Sequence, residues 1–243
     1  MDGNGRWATS LGEARTFGHR EGSASVRRIV RACRRLGVEA LTLYAFSEQN
    51  WDRPRIEVDA LMALLKDFLI TEREELNANG IRLRMVGRRH RLPDDVGDVL
   101  DAIAEETADL TRMTLTLALS YGGREEIADA AQEIARRAAS GELDPELVDT
   151  RFFGAVLPSM EVGPVDLLIR TSGELRVSNF LLWATAYAEL YFTDALWPDF
   201  DEVQLYKAIE TYQARERRFG RVACSATEGG VDPIPLVAGS LHV

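Results

Sequence analysis

Two cysteines and three histidines are all that 243 residues hold of the side chains that most often build disulfide frameworks and soft metal sites. Cys33 lies in a helical run and Cys224 in a polar stretch, so the two read as free thiols in a reducing cytoplasm. Long hydrophobic runs are missing too. None approaches the roughly 20 residues of a membrane span, and no signal peptide is visible, so a soluble cytoplasmic protein is expected. The formal charge of −10 leaves no basic excess, which argues against a nucleic-acid partner, since that needs a basic face. Neither a Walker-type nor a dinucleotide glycine pattern occurs, so a nucleotide ligand is not favoured. What the chain does have is 46% hydrophobic residues, enough for a sizeable core, and no break in composition, so a single domain is expected.

Val26, Ile29, Val30, Cys33 and Leu36 recur at helical spacing until Gly37, with Arg27, Arg28, Arg31, Arg34 and Arg35 on the remaining faces as a solvated side. Leu41 to Phe46, Ile81 to Val86 and Thr114 to Leu119 read as strands, and helices are expected from Glu57, over 94–110, over 123–139 and around 203–218. This alternation predicts an α/β fold with a mostly parallel central sheet flanked by helices. The polar and aromatic segment from Ser47 to Ile56 reads as a movable lid. On the helix beyond it, Val58, Leu61, Met62, Leu64, Leu65, Phe68 and Leu69 form a stripe wider than one packing face needs. Ordinary core and the wall of an apolar tunnel both fit that stripe. After Gly220 periodicity disappears, so residues 1–220 are the expected folded domain and 221–243 a flexible tail.

The densest chemistry lies between Asp166 and Tyr191. Leu167, Leu168 and Ile169 read as a short buried strand with Arg170 at its end, where ligands bind in open α/β sheets. Thr171, Ser172 and Gly173 allow a tight turn, Arg176 adds a second guanidinium, and Ser178 and Asn179 read as the cap of a helix carrying Trp183 and Glu189. Two cationic forks beside a helix start suit a diphosphate. The N-terminus repeats the theme: Asp2, Gly3, Asn4, Gly5, Arg6 and Trp7 adjoin, and Arg15 and His19 follow at helical spacing. Backbone freed by Gly3 and Gly5 can approach a phosphate that Arg6 neutralises. Asp2 would repel that phosphate unless a divalent cation stood between them, which points to Mg²⁺.

With these residues in view, Asp2 to Ala8, Leu41 to Pro54 and Asp166 to Phe200 closely resemble the cis-prenyltransferases, above all the bacterial undecaprenyl diphosphate synthases, and the likeness runs from Asp2 to about Gly220. The resemblance implies a Mg²⁺-dependent enzyme that joins isopentenyl diphosphate to an allylic diphosphate such as farnesyl diphosphate, each new double bond being cis. It implies undecaprenyl diphosphate for cell-wall carrier lipid as product, a homodimer, and peripheral contact with the inner face of the membrane during product release. By motif, Gly3, Asn4, Gly5, Arg6, Trp7, Arg15, His19, Ser47, Trp51 and Arg53 would bind the allylic substrate. Asp2 would hold or deliver Mg²⁺, with Glu189 near the metal and the subunit boundary. Arg170, Arg176 and Ser178 would bind isopentenyl diphosphate, and the turn at Arg218, Phe219 and Gly220 would reach the neighbouring subunit's site. The proton-accepting base stays open between a substrate phosphate oxygen and Asn50 acting through water. A short-chain cis-prenyl synthase and a non-catalytic partner subunit are the alternatives. The aspartate-rich clusters of trans-prenyl synthases are missing. One departure is that the resemblance places a buried strand before Asp2, where this chain has only Met1. An upstream strand is therefore expected, without which Asp2 would sit on a frayed end beside the Met1 ammonium.

Overall fold

The computed structural model describes residues 1–215 and 242–243. Its elements run α1 (Asn4–Ser10), α2 (Arg15–Leu36), β1 (Ala40–Ser47), α3 (Arg55–Asn79), β2 (Ile81–Val86) and α4 (Asp94–Glu106). They continue with β3 (Met113–Tyr121), α5 (Gly123–Ala139), α6 (Thr150–Val156), β4 (Leu167–Arg170), β5 (Glu189–Phe192) and α7 (Glu202–Gln213). Gly37 and Gly80 stop α2 and α3 in the left-handed conformation, at φ 76° and 68°, which a β-carbon disfavours. α4 ends earlier than its pattern suggests. The buried Thr107 hydroxyl donates to the Ile103 carbonyl and accepts the Leu83 N–H, which ties the helix end to β2.

Every strand pair is parallel: β3 lies between β1 and β2, and β4 pairs with β5. β3 is buried almost throughout, so Leu115, Leu117 and Leu119 need no polar alternation. β1 and β4 do not pair with each other. Their facing edges both bond to the last two residues: Val243 N–H donates to Ala40 O at 2.9 Å, and Asp166 N–H to His242 O at 3.0 Å. The sheet is thus two hydrogen-bonded pieces joined by a two-residue bridge. His242, 4% exposed, sits beside the Thr42 hydroxyl, so this end of the expected tail is part of the sheet. The boundary at Gly220, the turn at Arg218 to Gly220, Cys224 and residues 221–241 lie outside the described residues.

Two expectations are corrected. The arginines of α2 are an ionic seam: Arg27 and Arg31 pair with Glu72 and Glu75 of α3, Arg35 with Glu202 of α7, and Arg28 donates to Pro198 O. The exposed Arg31–Glu75 pair stabilises by only about 0–1 kcal/mol and the exposed Arg35–Glu202 pair adds little, while buried Glu72 needs Arg27 as its partner, so the seam mainly sets the seating of α2 on α3. The second correction concerns Ser178 and Asn179, which do not begin a helix. Their φ values are 47° and 64°, Leu181 follows at 44°, and turns lead straight into β5. Asn179 caps another helix: its carbonyl accepts the Gly123 N–H at 2.7 Å and its side-chain oxygen the Arg124 N–H at 2.8 Å, both at the start of α5.

Candidate active site

The C-terminal ends of β1 and β4 open onto a cavity of about 690 Å³. Leu41 and Leu43 of β1, Leu117 and Leu119 of β3, and Leu61, Met62, Leu64, Leu65 and Phe68 of α3 line it. The wide apolar stripe of α3 is therefore divided: Val58 and Leu69 pack into the core, while Leu61, Leu65 and Phe68, one helical face, form the wall of an apolar chamber. Polar residues gather at the other end.

Asp2 sits at the centre of that polar end. Its backbone is strapped to the end of β4: Asp2 N–H donates to Thr171 Oγ1 at 2.9 Å, the Thr171 hydroxyl returns a bond to Asp2 O at 2.8 Å, and Trp197 N–H reaches the same oxygen at 3.0 Å. Oδ1 of its carboxylate accepts the Gly3 N–H at 2.8 Å and Oδ2 accepts Arg170 Nη2 at 3.0 Å. Burial pushes this carboxyl up, but the Arg170 and Gly3 bonds outweigh it and hold the pKa below the ordinary value, so Asp2 is ionised. The expected frayed end is not observed. Burial, with the Arg170 charge, lowers the Met1 amine to about 6 against the pull of Asp2. Gly3 takes φ 103°, and a β-carbon there would lie 2.8 Å from Leu196, so only glycine lets Asp2 and Asn4 approach so closely.

Carboxylates hold the cations around it. Arg6 donates to Ser172 Oγ at 2.5 Å and stands 3.4 Å from Glu174 and 3.9 Å from Asp2. Arg53, Arg15 and His19 surround Glu57 at 3.0, 3.7 and 4.0 Å. Neither Glu57 nor Glu174 belongs to a cationic motif, although Arg53 and Glu57 at i,i+4 are a visible pair. Burial, then the Arg53 and Arg15 charges, lower the His19 pKa to about 4 against Glu57, so the imidazole is neutral near pH 7. Its Nε2 is buried without a hydrogen-bond partner. A folded pKa below the unfolded value of roughly 6.5 means that stability is fully present above that pH and declines as pH falls toward the folded pKa. The wild-type melting temperature is therefore expected to fall more steeply than that of His19→Asn between pH 6.5 and about 4. Parallel melting curves would remove this account of His19.

At the end of β4, Arg170 spends its fork on three partners. Nη1 meets Ser178 Oγ at 2.5 Å and the Arg176 carbonyl, and Nη2 meets Asp2. Residues 1–220 match the family described as "Putative undecaprenyl diphosphate synthase". The chain belongs to this cis-prenyltransferase family. It is 49% identical over 223 residues to the isoprenyl transferase of Geobacter sulfurreducens, covering 92% of this chain and 91% of that one. A Xanthomonas axonopodis relative named ditrans,polycis-undecaprenyl-diphosphate synthase ((2E,6E)-farnesyl-diphosphate specific) is 45% identical over 94% of this chain and 90% of its own length. Among solved structures, lavandulyl diphosphate synthase from Lavandula x intermedia, in complex with dimethylallyl diphosphate, matches with a TM-score of 0.88 at 37% identity, covering 91% of this chain and 95% of that one. The parallel α/β fold and the prenyl-transferring activity anticipated from the motifs are those of the family.

For a cis-prenyltransferase, the cavity gathers most of the expected residues and leaves out four. Asp2, Gly3, Asn4, Gly5, Arg6, Arg15 and His19 line it, as do Ser47, Asn50, Arg53, Arg170 and Ser178. Trp7 faces away, stacked on Phe17 with its indole N–H on Asp199. Trp51 packs on Phe46 and donates to Ser120. Arg176 lies at the rim, its side chain 62% exposed and paired with Glu174. Glu189 opens β5 opposite Leu167 and pairs with Arg215, whereas Arg170 aligns with Phe192, roughly 10 Å further along the strands. Within one chain Glu189 is therefore not beside Asp2. Among the described residues no three His, Cys, Asp or Glu side chains cluster as a metal site. A half-exposed lone carboxylate such as Asp2 still suits Mg²⁺, which is commonly held by one or two carboxylates with substrate phosphates and waters.

Proposed function

We propose that the chain condenses isopentenyl diphosphate with an allylic diphosphate, farnesyl diphosphate in first place, into long-chain cis-polyprenyl diphosphate, with undecaprenyl diphosphate as the end product. The cavity, cationic at one end and apolar along α3, carries the condensation, and the relative named as an undecaprenyl-diphosphate synthase supports the product length. In this reading the enzyme is a cytoplasmic homodimer that touches the membrane only to release product. No described helix is long and apolar enough to cross a membrane. Glu189 acts at the subunit boundary, since it is not beside Asp2.

Arg6, Arg15, Arg53 and neutral His19 bind the allylic diphosphate, with Glu57 and Glu174 holding those cations in place until substrate arrives. Asp2 would hold Mg²⁺, which would supply positive charge to stabilise the departing diphosphate. Arg170, Ser178 and, from the rim, Arg176 hold isopentenyl diphosphate so that its alkene faces the allylic carbon. The C–O bond to the allylic diphosphate breaks, the new C–C bond forms, and one proton leaves. Asn50 Oδ1 accepts the Ser47 N–H at 3.0 Å, which fixes the amide so that it can orient a group, but an amide oxygen is far less basic than a diphosphate oxygen, so a substrate phosphate oxygen is the better base.

A cavity of about 690 Å³ is within the range that encloses a single drug-sized ligand. That favours the second reading, a short-chain synthase, unless the far wall yields. Incubation with farnesyl diphosphate, isopentenyl diphosphate and Mg²⁺, followed by sizing of the products, decides between them. A series ending at undecaprenyl diphosphate is expected, and a single condensation would overturn it. Phe68, on the lining and capped by the Arg27 guanidinium at 5.8 Å, is expected to restrict elongation. Phe68→Ala should lengthen the products, at a stability cost below the roughly 3–5 kcal/mol of a fully buried phenylalanine. An unchanged product series with a lowered melting temperature would mean that Phe68 only packs.

A further inference from the structure

The turn that carries Asn50 and Arg53 is fastened from behind by a buried carboxylate. Residues Glu48–Asp52 form a 3₁₀ turn, in which side chains three apart share a side. Asn50 and Arg53 face the cavity, while Glu48 and Trp51 face the end of β3. The Glu48 side chain is 8% exposed. Its Oε1 accepts the Ser120 hydroxyl at 3.0 Å, its Oε2 is paired with Arg91, and Arg88 stands 3.8 Å away. Ser120 Oγ in turn accepts the Trp51 indole N–H at 2.8 Å, and the Arg91 guanidinium lies 5.1 Å over the Trp51 ring. Ser120 is fully buried at φ 46°, a left-handed conformation that serine rarely adopts, and it places the hydroxyl between Glu48 and Trp51.

A buried carboxylate is tolerated only when its partners are complete, and removal of one partner leaves an uncompensated charge. Here the partners lie on β3 and on the turn after β2, outside the cavity. Their effect is to fix the segment that the cavity uses.

We propose that Glu48 is a positioning residue: with Ser120 and Arg91 it holds the 48–52 turn so that Arg53, just beyond it, presents its guanidinium to the allylic diphosphate and Asn50 stays on the cavity side. This rests on the placement of that substrate beside Arg53. The latch sets how well the allylic substrate binds and leaves the isopentenyl side, on β4, untouched.

Steady-state kinetics and hydrogen exchange of the full chain test it. Glu48→Ala is expected to raise the KM for the allylic diphosphate about tenfold, the scale of one lost charged hydrogen bond, with the isopentenyl diphosphate KM within about twofold. In the substrate-free protein the amides of residues 48–53 should exchange faster while those of β3 do not. Glu48→Gln keeps an acceptor for Ser120 and should restore part of the loss. Ser120→Gly fits the left-handed backbone without the hydroxyl and should repeat the effect if Glu48→Ala does not fold. An unchanged allylic KM despite faster local exchange, an equal rise for both substrates, or faster exchange throughout the core would each overturn the proposal. Arg53→Ala separates the two readings: an unchanged allylic KM there counts against the substrate placement, and the exchange data still decide whether the latch exists.

Discussion

Asp2→Ala is expected to lower kcat/KM by on the order of a thousandfold, equivalent to about 4 kcal/mol of transition-state stabilisation, with a folded protein left behind. The fold should survive because the loop is held by Asp2's backbone, through Thr171 and Trp197, and not by its carboxylate. What the side chain does contribute is a partner for Arg170, whose side chain is only 12% exposed. Arg170 keeps Ser178 and the Arg176 carbonyl, and the Asp2 carboxylate is 43% exposed, so solvent screening limits the loss to about 1 kcal/mol or less, or roughly 2–4 °C in melting temperature. Asp2→Asn keeps an acceptor for the Gly3 N–H but puts an amide N–H₂ where Oδ2 accepts from Arg170, so it should lose no more stability than Asp2→Ala and still be inactive. Mg²⁺ titrations of turnover beside thermal melts make the measurement. Near-normal Mg²⁺-dependent turnover in either variant would withdraw Asp2 from the metal.

How far the site was legible depended on whether its signal was local. The apolar run Leu167 to Ile169 ending in Arg170 needs only strand periodicity and the rule that strand ends bind ligands, and β4 ends at Arg170. The grammar of Ser178 and Asn179 is that of a cap, and Asn179 is one. Cap chemistry does not say which helix is capped, and the partner, α5, begins over 50 residues earlier in the chain. Trp7 and Trp51 stand among residues that line the cavity, but side-chain direction in a short helix or 3₁₀ turn follows its phase, which a motif does not reveal. Glu57 and Glu174 carry no mark of a polyanion site, whose sequence signal is its cations. A cationic pocket without substrate needs carboxylates to offset its own repulsion, and these two supply them. The double meaning of the α3 stripe was resolved only by packing, which sends Leu69 inward and Phe68 to the cavity. The bridge between β1 and β4 had no signal at all, since two residues carry no period.

Arg170 and Arg176 looked equivalent in the sequence, and the structure separates them into different expected phenotypes. Arg176→Lys should weaken isopentenyl diphosphate binding several-fold at most, because a rim side chain that is 62% exposed acts in screened solvent, and it should leave allylic binding unchanged. Arg170→Lys should do more and do it on both sides. One guanidinium spans Asp2, Ser178 and the Arg176 carbonyl, and an ammonium on a flexible stem cannot hold all three. Loss of about one or two charged hydrogen bonds corresponds to roughly 10- to 100-fold weaker isopentenyl diphosphate binding. Because Arg170 also orients the Asp2 carboxylate, Mg²⁺-dependent binding of the allylic diphosphate should weaken as well, by a smaller factor. Separate titrations of each diphosphate, with and without Mg²⁺, resolve these cases. A loss confined to isopentenyl diphosphate in Arg170→Lys would show that the ion pair to Asp2 carries no function. A loss confined to the allylic substrate in either variant would mean that the two diphosphate sites are exchanged.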